Sequence, residues 1–459
     1  MQVHSTLAAI TIALVMAATL PAQTGIPPQR PMIQTKYTAD PAPLVYNDTV
    51  FLYVSHDEDD AIGFKMLDWL LYTSTDMVNW QERGAVASLK DFKWARQDNG
   101  AWAVQCIERN GKFYLYCPMH GGGIGVLVAD SPYGPFKDPL GKALITGENV
   151  WHDIDPTPFI DDDGQAYLYW GNPHLFYVKL NEDMISYSGE IVKEPTKPTN
   201  YQEGPWVWKR NGMYYLAYAS TCCPEGIGYA MSASPVGPWE YKGMIVDASE
   251  KSRGNHPGII EYKGKSYCFG HSSDLIKRET TKFYERRSVD MDEMEYNADG
   301  TIRNRHYWSV EGPAQLGSLN PYRRVEAETM AWSEGVKTRF ESEYERNFMW
   351  DRGKKLADRL FVTSIHHGDY IMVQGVDFGK GAKSVEVSVA SKFGGTIEFR
   401  TGQVNGPLIA AVTVKSDGDA GVWKTVSAPV KNAKGKQDVY LVFKGEKELF
   451  EFDWWQFAK

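Results

Sequence analysis

The fold is decided by the sixteen residues that begin at Asp155 and read DPTPFIDDDGQAYLYW. A short apolar strand, a turn at Asp163-Gly164 and a strand rich in aromatic residues follow one another, which is the pattern of a β-hairpin. The same pattern occurs in four more segments, which read DPAPLVYNDTVFLYVS from Asp40, WAVQCIERNGKFYLYC from Trp102, EGPWVWKRNGMYYLAY from Glu203 and HPGIIEYKGKSYCFGH from His256. The five hairpins are therefore copies of one repeating unit.

The spacing of these repeats predicts the architecture of the first two thirds of the chain. Their turns lie at positions 48, 111, 164, 212 and 264, so that successive turns are 63, 53, 48 and 52 residues apart. Repeats of this length that consist of strands and turns are typical of propeller blades with four strands each. We therefore predict a five-bladed β-propeller over residues 30–312. A β-sandwich with unrelated hairpins is the alternative.

The remaining residues form a second domain with another pattern. After a linker at residues 313–322, residues 323–459 contain alternating strands such as SVEVSVAS and GTIEFRTG, without the repeat. Short alternating strands separated by turn residues are typical of a β-sandwich. The whole chain is thus predicted to be all-β, a five-bladed β-propeller followed by a β-sandwich (jelly-roll) domain.

The charge balance and the aromatic content restrict the classes of function that fit this chain. The chain has 49 Lys and Arg against 58 Asp and Glu, a net charge of −9. Such a balance argues against a nucleic-acid partner, because phosphate binding needs a basic excess. From residue 323 onward there are 21 basic and 19 acidic residues, so the acidic excess lies in the propeller. Aromatic residues make up 13% of the chain and serve either strand packing or stacking on sugar rings.

The N-terminus and the cysteines bear on localisation. Residues 7–20 are an apolar run of 14, which is short for a membrane span and typical of a signal peptide. We expect a signal peptide at residues 1–22, a secreted protein (extracellular or periplasmic) and no membrane span in the mature chain. The five cysteines are expected as buried thiols, with a disulfide between Cys222 and Cys223 as the alternative.

One position of the repeat, eight or nine residues before each turn, holds Asp40, Trp102, Asp155, Glu203 and His256. The innermost strand of each blade lines the central channel, so equivalent positions converge on the axis. Three carboxyl groups in one channel repel each other, which raises the pKa of at least one and leaves another ionised. Glycoside hydrolysis needs such an acid and base pair.

Other charged residues are harder to place from the sequence. The acidic run at residues 56–60 is expected to be a solvated loop, and Asp161–Asp163 a solvated turn. One of Arg286 and Arg287 is a candidate for holding a hydroxyl or a carboxylate.

At these residues the chain resembles glycoside hydrolase family 43. The similar segments include TADPAPLVYND, WHDIDPTPFIDDDGQAYLYWGN and YQEGPWVWKRNGMYYLAYAS. The resemblance implies an inverting enzyme with Asp40 as general base, Glu203 as general acid and Asp155 as the residue that tunes and orients the acid. It also implies that Trp102, Arg287 and His256 contact the sugar.

The implied activity is removal of α-L-arabinofuranosyl or β-D-xylosyl units from xylan or arabinoxylan, so the partner is a plant cell-wall polysaccharide or oligosaccharide. An endo-acting arabinanase or xylanase, and a non-catalytic carbohydrate-binding protein, are the alternatives. No cofactor is expected for the chemistry. A structural Ca²⁺ is implied near the propeller axis, where His256 or, as a second choice, His271 would hold it.

Residues 323–459 resemble carbohydrate-binding module family 6 in VEAET, GDYIMVQGVDFGKGAKSVEVSVAS and FDWWQF. The resemblance implies a structural calcium held by Glu326, Glu328 and Asp453. Where such modules often carry two tryptophans, Trp423 is present and Ala420 replaces the other. The module is therefore expected to be a weakened sugar binder that acts mainly as a packing domain.

Overall fold

Strands and turns alternate along the chain as the repeat predicts. The computed structural model describes residues 30–147, 152–252, 255–282, 285–341, 359–416 and 419–459. All five hairpins form, and each belongs to a separate antiparallel sheet, named blade 1 to blade 5 in chain order. The signal peptide expected at residues 1–22 lies outside the described residues.

The strands of blades 1 to 3 are β1 (Tyr37–Tyr46), β2 (Thr49–Asp57), β3 (Asp68–Ser74) and β4 (Trp80–Ser88); β5 (Gln105–Arg109), β6 (Lys112–Met119) and β7 (Gly123–Ala129); β8 (Thr157–Ile160), β9 (Ala166–Trp170), β10 (Phe176–Leu180) and β11 (Tyr187–Lys193). Those of blades 4 and 5 are β12 (Tyr201–Arg210), β13 (Met213–Ser220), β14 (Gly226–Ser232) and β15 (Glu240–Val246); β16 (Gly258–Tyr262), β17 (Lys265–Ser272) and β18 (Ser288–Met294). A short α-helix, α1 (Asp274–Glu279), and a 3₁₀ turn (Leu89–Asp91) join them. No helix in the described ranges has the length and apolar character to cross a bilayer.

The hairpin turns form because their residues tolerate a left-handed backbone. Asn110 and Gly111 have φ of 54° and 76°, and Asn211 and Gly212 have φ of 49° and 78°. Positive φ at both central residues matches the twist of the flanking strands. These turns fix the register and therefore the side chains that face the channel.

Blades 2 and 5 differ from the four-stranded prediction, since three strands are described in each. In blade 2 the chain after β7 makes only isolated bridges, such as Val128 with Lys137. The Asp138 carboxylate accepts hydrogen bonds from the backbone N–H groups of Leu140 and Gly141, both at 2.9 Å. Such local bonds replace a strand ladder by a turn.

The ring closes through Met32, which precedes β1, and through Thr38 at the start of β1. Met32 N–H donates to the Val289 carbonyl and Thr38 N–H to the Arg287 carbonyl, both at 2.9 Å. The first blade is thereby bonded to the last, which brings Asp40 close to Arg287. Most of the aromatic residues pack between blades, where Trp69, Trp170 and Tyr53 are fully buried.

The second domain consists of two sheets that face each other across an apolar core. Its strands are β19 (Val325–Glu326), β20 (Thr329–Met330), β21 (Trp332–Glu334), β22 (Lys337–Glu341), β23 (Arg359–Thr363), β24 (Tyr370–Asp377), β25 (Ser384–Ser391), β26 (Gly395–Thr401), β27 (Leu408–Val414), β28 (Asp419–Pro429), β29 (Lys436–Lys444) and β30 (Glu451–Ala458). One sheet has the order β22-β23-β30-β25-β28, with β19 also on β30, and the other has the order β21-β24-β29-β26-β27. The predicted fold, a propeller followed by a sandwich, is confirmed.

The sheet of blade 1 includes a strand from beyond the predicted domain boundary at residue 323. Strand β20 lies beyond that residue, yet it pairs with β4 and extends blade 1 to five strands. An uncovered edge strand exposes unpaired backbone groups, and β20 supplies partners for β4.

The cysteines also differ from the default expectation. Cys106, Cys117 and Cys268 are buried thiols, as expected. Cys222 and Cys223 are exposed and joined by a disulfide. They lie in the turn between β13 and β14, where neither side chain has a core to pack against.

Candidate active site

The repeat register brings its five residues together. Asp40, Trp102, Asp155, Glu203 and His256 line one cavity of about 80 Å³, together with Phe64, Met66, Ala103, Ile154 and Arg287. The prediction that equivalent positions converge on the axis is therefore correct. Three carboxyl groups from blades 1, 3 and 4 meet there.

The backbone turns these acids toward the cavity. Asp40 and Asp155 have φ of 52° and 60°, in the left-handed region that residues other than glycine rarely occupy. The pairing of β1 with β2 shifts by one register between Ala39 and Ala42, which marks a β-bulge at Asp40. Bulges redirect a side chain at functional sites, and this one points the Asp40 carboxylate inward.

Arg287 holds Asp40 in its ionised form. Its Nη1 lies 2.9 Å from Asp40 Oδ1, and its Nε and Nη2 donate to the two oxygens of Asp57 at 3.0 Å each. Burial alone would raise the pKa of Asp40, but the guanidinium and two neighbouring histidines outweigh burial and hold that pKa below its usual value. Arg287 was expected to contact a carboxylate or a hydroxyl, and its contacts in the structure include carboxylates of the protein itself.

Asp57 corrects the expectation of a solvated acidic run at residues 56–60. It is the last residue of β2, fully buried and bonded to Arg287 through both its oxygens. Because β2 returns antiparallel to β1, Asp57 lies opposite Tyr37, three residues from Asp40. Its place at the end of the strand that returns beside the axial residue is the signal that would have identified it.

His256 lies between the three acids. Its Nε2 is 3.6 Å from Asp155 Oδ2, 3.8 Å from Glu203 Oε1 and 4.0 Å from Asp40 Oδ1. Burial alone would lower its pKa, yet the surrounding carboxylates raise it to about 10. The surrounding carboxylates therefore favour the protonated form of His256. His271, fully buried beside it, accepts a hydrogen bond from Asp40 N–H at Nδ1 over 3.3 Å.

Asp155 and Glu203 have different surroundings from Asp40. Burial, together with repulsion from Glu203 and Asp40, raises the pKa of Asp155 to about 8 against the opposing effect of His256. The Asp155 carboxyl accepts a hydrogen bond from Gly204 N–H at 3.2 Å, next to Glu203. Glu203 is the more open acid, with 15% of its side chain exposed, and its Oε2 accepts a hydrogen bond from Asn172 Nδ2.

Aromatic rings form the wall of the cavity. Trp102 packs against His120 with ring centroids 4.1 Å apart. Phe64, 38% exposed, lies with its ring 5.0 Å from the Arg287 guanidinium carbon. Phe64 and Asn172 belong to loops outside the five hairpins, so the repeat register did not identify them.

The structural calcium ions implied by the resemblance stay predictions. Calcium takes six to eight oxygen ligands, and the carboxylate oxygens nearest to His256 Nε2 are those of Asp155, Glu203 and Asp40, at 3.6 to 4.0 Å. In the second domain, Asp453 faces Arg359 at 3.1 Å and Arg324 at 3.6 Å. Glu326 also binds Arg324, at 2.7 Å, and Glu328 accepts from Gln81 of the propeller at 3.5 Å. Guanidinium groups thus supply the positive charge next to Asp453 and Glu326.

Trp423, the tryptophan retained in the second domain, is partly buried. The Arg359 guanidinium lies 4.4 Å from its ring centroid, and the Phe361 ring is 5.2 Å away. That the module is a weakened sugar binder stays a prediction.

Both domains of the chain match known protein families. Residues 28–302 match the model for glycosyl hydrolases family 43, and residues 326–459 match that for carbohydrate binding module (family 6). The chain is similar to an arabinoxylan arabinofuranohydrolase of Paenibacillus polymyxa, with 35% identity over 93% of this chain and 74% of that protein. It is also similar to a xylosidase/arabinosidase of Bacteroides ovatus, with 30% identity over 60% of this chain and 96% of that protein.

A solved structure covers both domains. It is a family 43 arabinoxylan arabinofuranohydrolase from Bacillus subtilis in complex with cellotetraose, with a TM-score of 0.80 and 32% identity over 94% of this chain and 97% of that one. The family 43 model alone spans more than half of the present sequence. The chain therefore belongs to glycosyl hydrolases family 43, and it is a glycoside hydrolase with a C-terminal module of carbohydrate-binding family 6.

Proposed function

We propose that this enzyme removes terminal α-L-arabinofuranosyl units from arabinoxylan by inverting hydrolysis. The observation that carries the proposal is the meeting of three carboxyl groups in one cavity, where Arg287 keeps Asp40 ionised as a base and Glu203 is the acid most open to a leaving group. The similar enzymes from Paenibacillus polymyxa and Bacillus subtilis are arabinoxylan arabinofuranohydrolases, which supports the substrate.

Each carboxyl group then has one task. Asp40 takes a proton from a water molecule as that water attacks the anomeric carbon. Glu203 gives its proton to the glycosidic oxygen, so that the leaving chain departs as a neutral alcohol. Asp155 binds Gly204 N–H and thereby orients the backbone beside Glu203. Each turnover moves one proton onto Asp40 and one off Glu203, and no cofactor takes part.

The shape of the cavity favours removal of one sugar at a time. Asp40, Asp155 and Arg287 are buried at one end of this cavity, while the exposed Phe64 lies toward solvent, and an enclosed end suits a single terminal sugar better than the interior of a polysaccharide chain. Terminal β-D-xylosyl units are the second candidate substrate, because the similar Bacteroides ovatus enzyme is a xylosidase/arabinosidase.

The test is a panel of nitrophenyl glycosides and arabinoxylan oligosaccharides, with proton NMR of the first sugar anomer released. We expect arabinose to be released with inverted configuration. Retained configuration would rule out the inverting mechanism. Faster release of xylose than of arabinose would favour the second candidate. In Glu203→Gln, unchanged turnover of natural oligosaccharides would remove Glu203 as the acid.

We also propose that the protein is exported. The apolar run at residues 7–20 supports export, and so does the Cys222–Cys223 disulfide, because disulfides persist in oxidising compartments. N-terminal sequencing of the protein from the medium and periplasm of its own host is the test. A chain that still begins at Met1 in the cytoplasm would contradict export.

A further inference from the structure

An amide chain reaches Glu203 from the neighbouring blade. Asn172, two residues after β9 of blade 3, donates its Nδ2 hydrogen to Glu203 Oε2. Gln202, which directly precedes Glu203 in β12, donates its Nε2 hydrogen to Asn172 Oδ1 at 3.0 Å. The two amides and the carboxyl group therefore form one continuous chain of hydrogen bonds.

The two neighbours of the Asn172 side chain agree on which way its amide points. An amide nitrogen only donates, an amide oxygen only accepts, and an ionised carboxylate only accepts. The Asn172 nitrogen therefore faces Glu203 Oε2, and the Asn172 oxygen accepts the hydrogen of Gln202 Nε2. A donor thus points at Oε2 of the carboxyl group that the proposed mechanism uses as the acid.

A donor on one oxygen determines where the acid proton lies. Oε2 accepts the Asn172 hydrogen, so the proton of the neutral carboxyl group belongs on the other oxygen, Oε1. That oxygen faces the cavity centre, where His256 Nε2 is 3.8 Å away and so beyond hydrogen-bond distance. The other charged groups lining this cavity are Asp40, Asp155 and Arg287. The substrate's glycosidic oxygen has to approach from the same open space.

We propose that Asn172, oriented by Gln202, is a positioning residue that fixes the rotation of the Glu203 carboxyl group, so that Oε1 delivers the proton to the leaving oxygen. The inference rests on the proposed role of Glu203 as general acid. Asn172 also stabilises the carboxylate that remains after the proton has left, because its hydrogen bond to the ionised group is the stronger one.

The loop that carries Asn172 has other anchors, so it does not depend on this side chain. Tyr201 Oη donates to the Gly171 carbonyl at 2.8 Å, and Lys197 Nζ donates to the Pro173 carbonyl. Both neighbours of Asn172 are thereby fixed to the start of blade 4. Replacing the side chain alone leaves the backbone in place.

The test compares leaving groups in the variants Asn172→Ala and Asn172→Asp, the second of which keeps the shape but loses the donor. On arabinoxylan oligosaccharides, whose leaving group needs a proton, we expect kcat to fall about 10- to 100-fold. On 2,4-dinitrophenyl α-L-arabinofuranoside, which leaves without a proton, we expect kcat within about threefold of wild type. KM for both substrates is expected to change little.

Two further variants complete the design. Gln202→Ala is expected to show the same leaving-group dependence with a smaller loss. Asn181→Ala is the matched control, because Asn181 donates to Ser186 Oγ at 2.8 Å in the same blade, away from the cavity. Its kcat should equal that of wild type on both substrates.

The outcomes separate this inference from the proposed function. Equal losses on both substrates, or no loss on either, in the Asn172 variants would overturn the positioning role. If Glu203→Gln itself shows no leaving-group dependence, the assignment of the acid fails instead. Leaving-group dependence in Glu203→Gln but not in Asn172→Asp would leave the acid assigned and reject Asn172.

Discussion

Identical residue types perform different tasks in this cavity because their neighbours differ. Asp40 and Asp155 have the same backbone conformation and similar burial. Asp40 lies against the Arg287 guanidinium, whereas Asp155 faces two other carboxyl groups. The repeat register predicted that both aspartates reach the axis. It predicted that the carboxyl groups differ in pKa, but not which aspartate stays ionised, because Arg287 and Asp57 come from segments outside the aligned position.

Replacement of Asp40 by Asn is expected to lower kcat about 10²- to 10⁴-fold, since the base that activates water is lost. The loss should be the same for oligosaccharides and for dinitrophenyl glycosides, because water attack is needed in both reactions. Steady-state kinetics on the two substrates is the measurement. Asp163→Asn, in the blade 3 turn, is the control with expected wild-type kcat. A loss confined to poor leaving groups would contradict the role of Asp40 as base.

The axial charges predict that stability falls as the pH rises. His256 has an ordinary pKa of 6.5 that the fold raises to about 10, so its stabilisation is full below pH 6.5 and is lost toward pH 10. Asp155, with its pKa raised from 3.8 to about 8, disfavours folding increasingly between those values. Both effects lower the free energy of unfolding from pH 6.5 to 8.

Urea denaturation at pH 6.5, 8 and 9.5 measures this dependence. In Asp155→Asn the slope should be shallower, because one titrating group is gone and the carboxylate with the largest effect on His256 is removed. Constant or rising stability of the wild type over this range would contradict the charge assignment.

Among the structural elements, the start of β12 leaves little room for a larger residue at Gly204. Gly204 has φ of 60°, and a Cβ there would lie 3.0 to 3.1 Å from the His256 ring. Gly204→Ala is therefore expected to lower the free energy of unfolding by about 1–2 kcal/mol and to reduce kcat by displacing His256.

Gly212 is the matched control at the other end of the same hairpin. Its φ is 78°, and a Cβ there would meet nothing within 4 Å. Gly212→Ala should lose stability through its backbone alone and keep wild-type kcat. Urea denaturation and arabinose release by both variants test the pair. Equal kcat values would show that His256 tolerates the displacement.

The hairpins were predictable as elements because their turns and alternation are local. The three-stranded form described for blades 2 and 5 was not predictable, because a fourth strand depends on the conformation of the chain after the third strand. In blade 2 the Asp138 side chain bonds the next backbone N–H groups, and a turn forms instead.

At the scale of the whole molecule, the two domains are joined by polar side chains as well as by β20. Strand β24 has a bulge between Val373 and Val376, and Gln374 lies within it. Asn79 of the propeller donates to the Gln374 carbonyl and accepts from its N–H, both at 2.9 Å. The propeller thus contributes hydrogen bonds to the backbone of the sandwich.

Asn79→Ala is expected to lower the free energy of unfolding by about 2 kcal/mol, because a backbone N–H at the interface loses its acceptor. Calorimetry should show a lower Tm, while kcat at 25 °C stays that of wild type. Asn297→Ala is the control, since Asn297 bonds Thr301 within one exposed loop of the propeller. An unchanged Tm in Asn79→Ala would mean that this contact does not couple the domains.

The sequence by itself determined the repeat, the two fold classes and the identity of the axial acids. These follow from alternation and turn chemistry, which act over a few residues, and from a repeat that places equivalent positions on one axis. Only the tertiary structure decided that Arg287 and Asp57 hold Asp40, that Asn172 bonds Glu203 and that β20 extends blade 1. Those contacts join residues far apart in the chain, and their effects depend on burial and on distances of a few ångströms that no local pattern encodes.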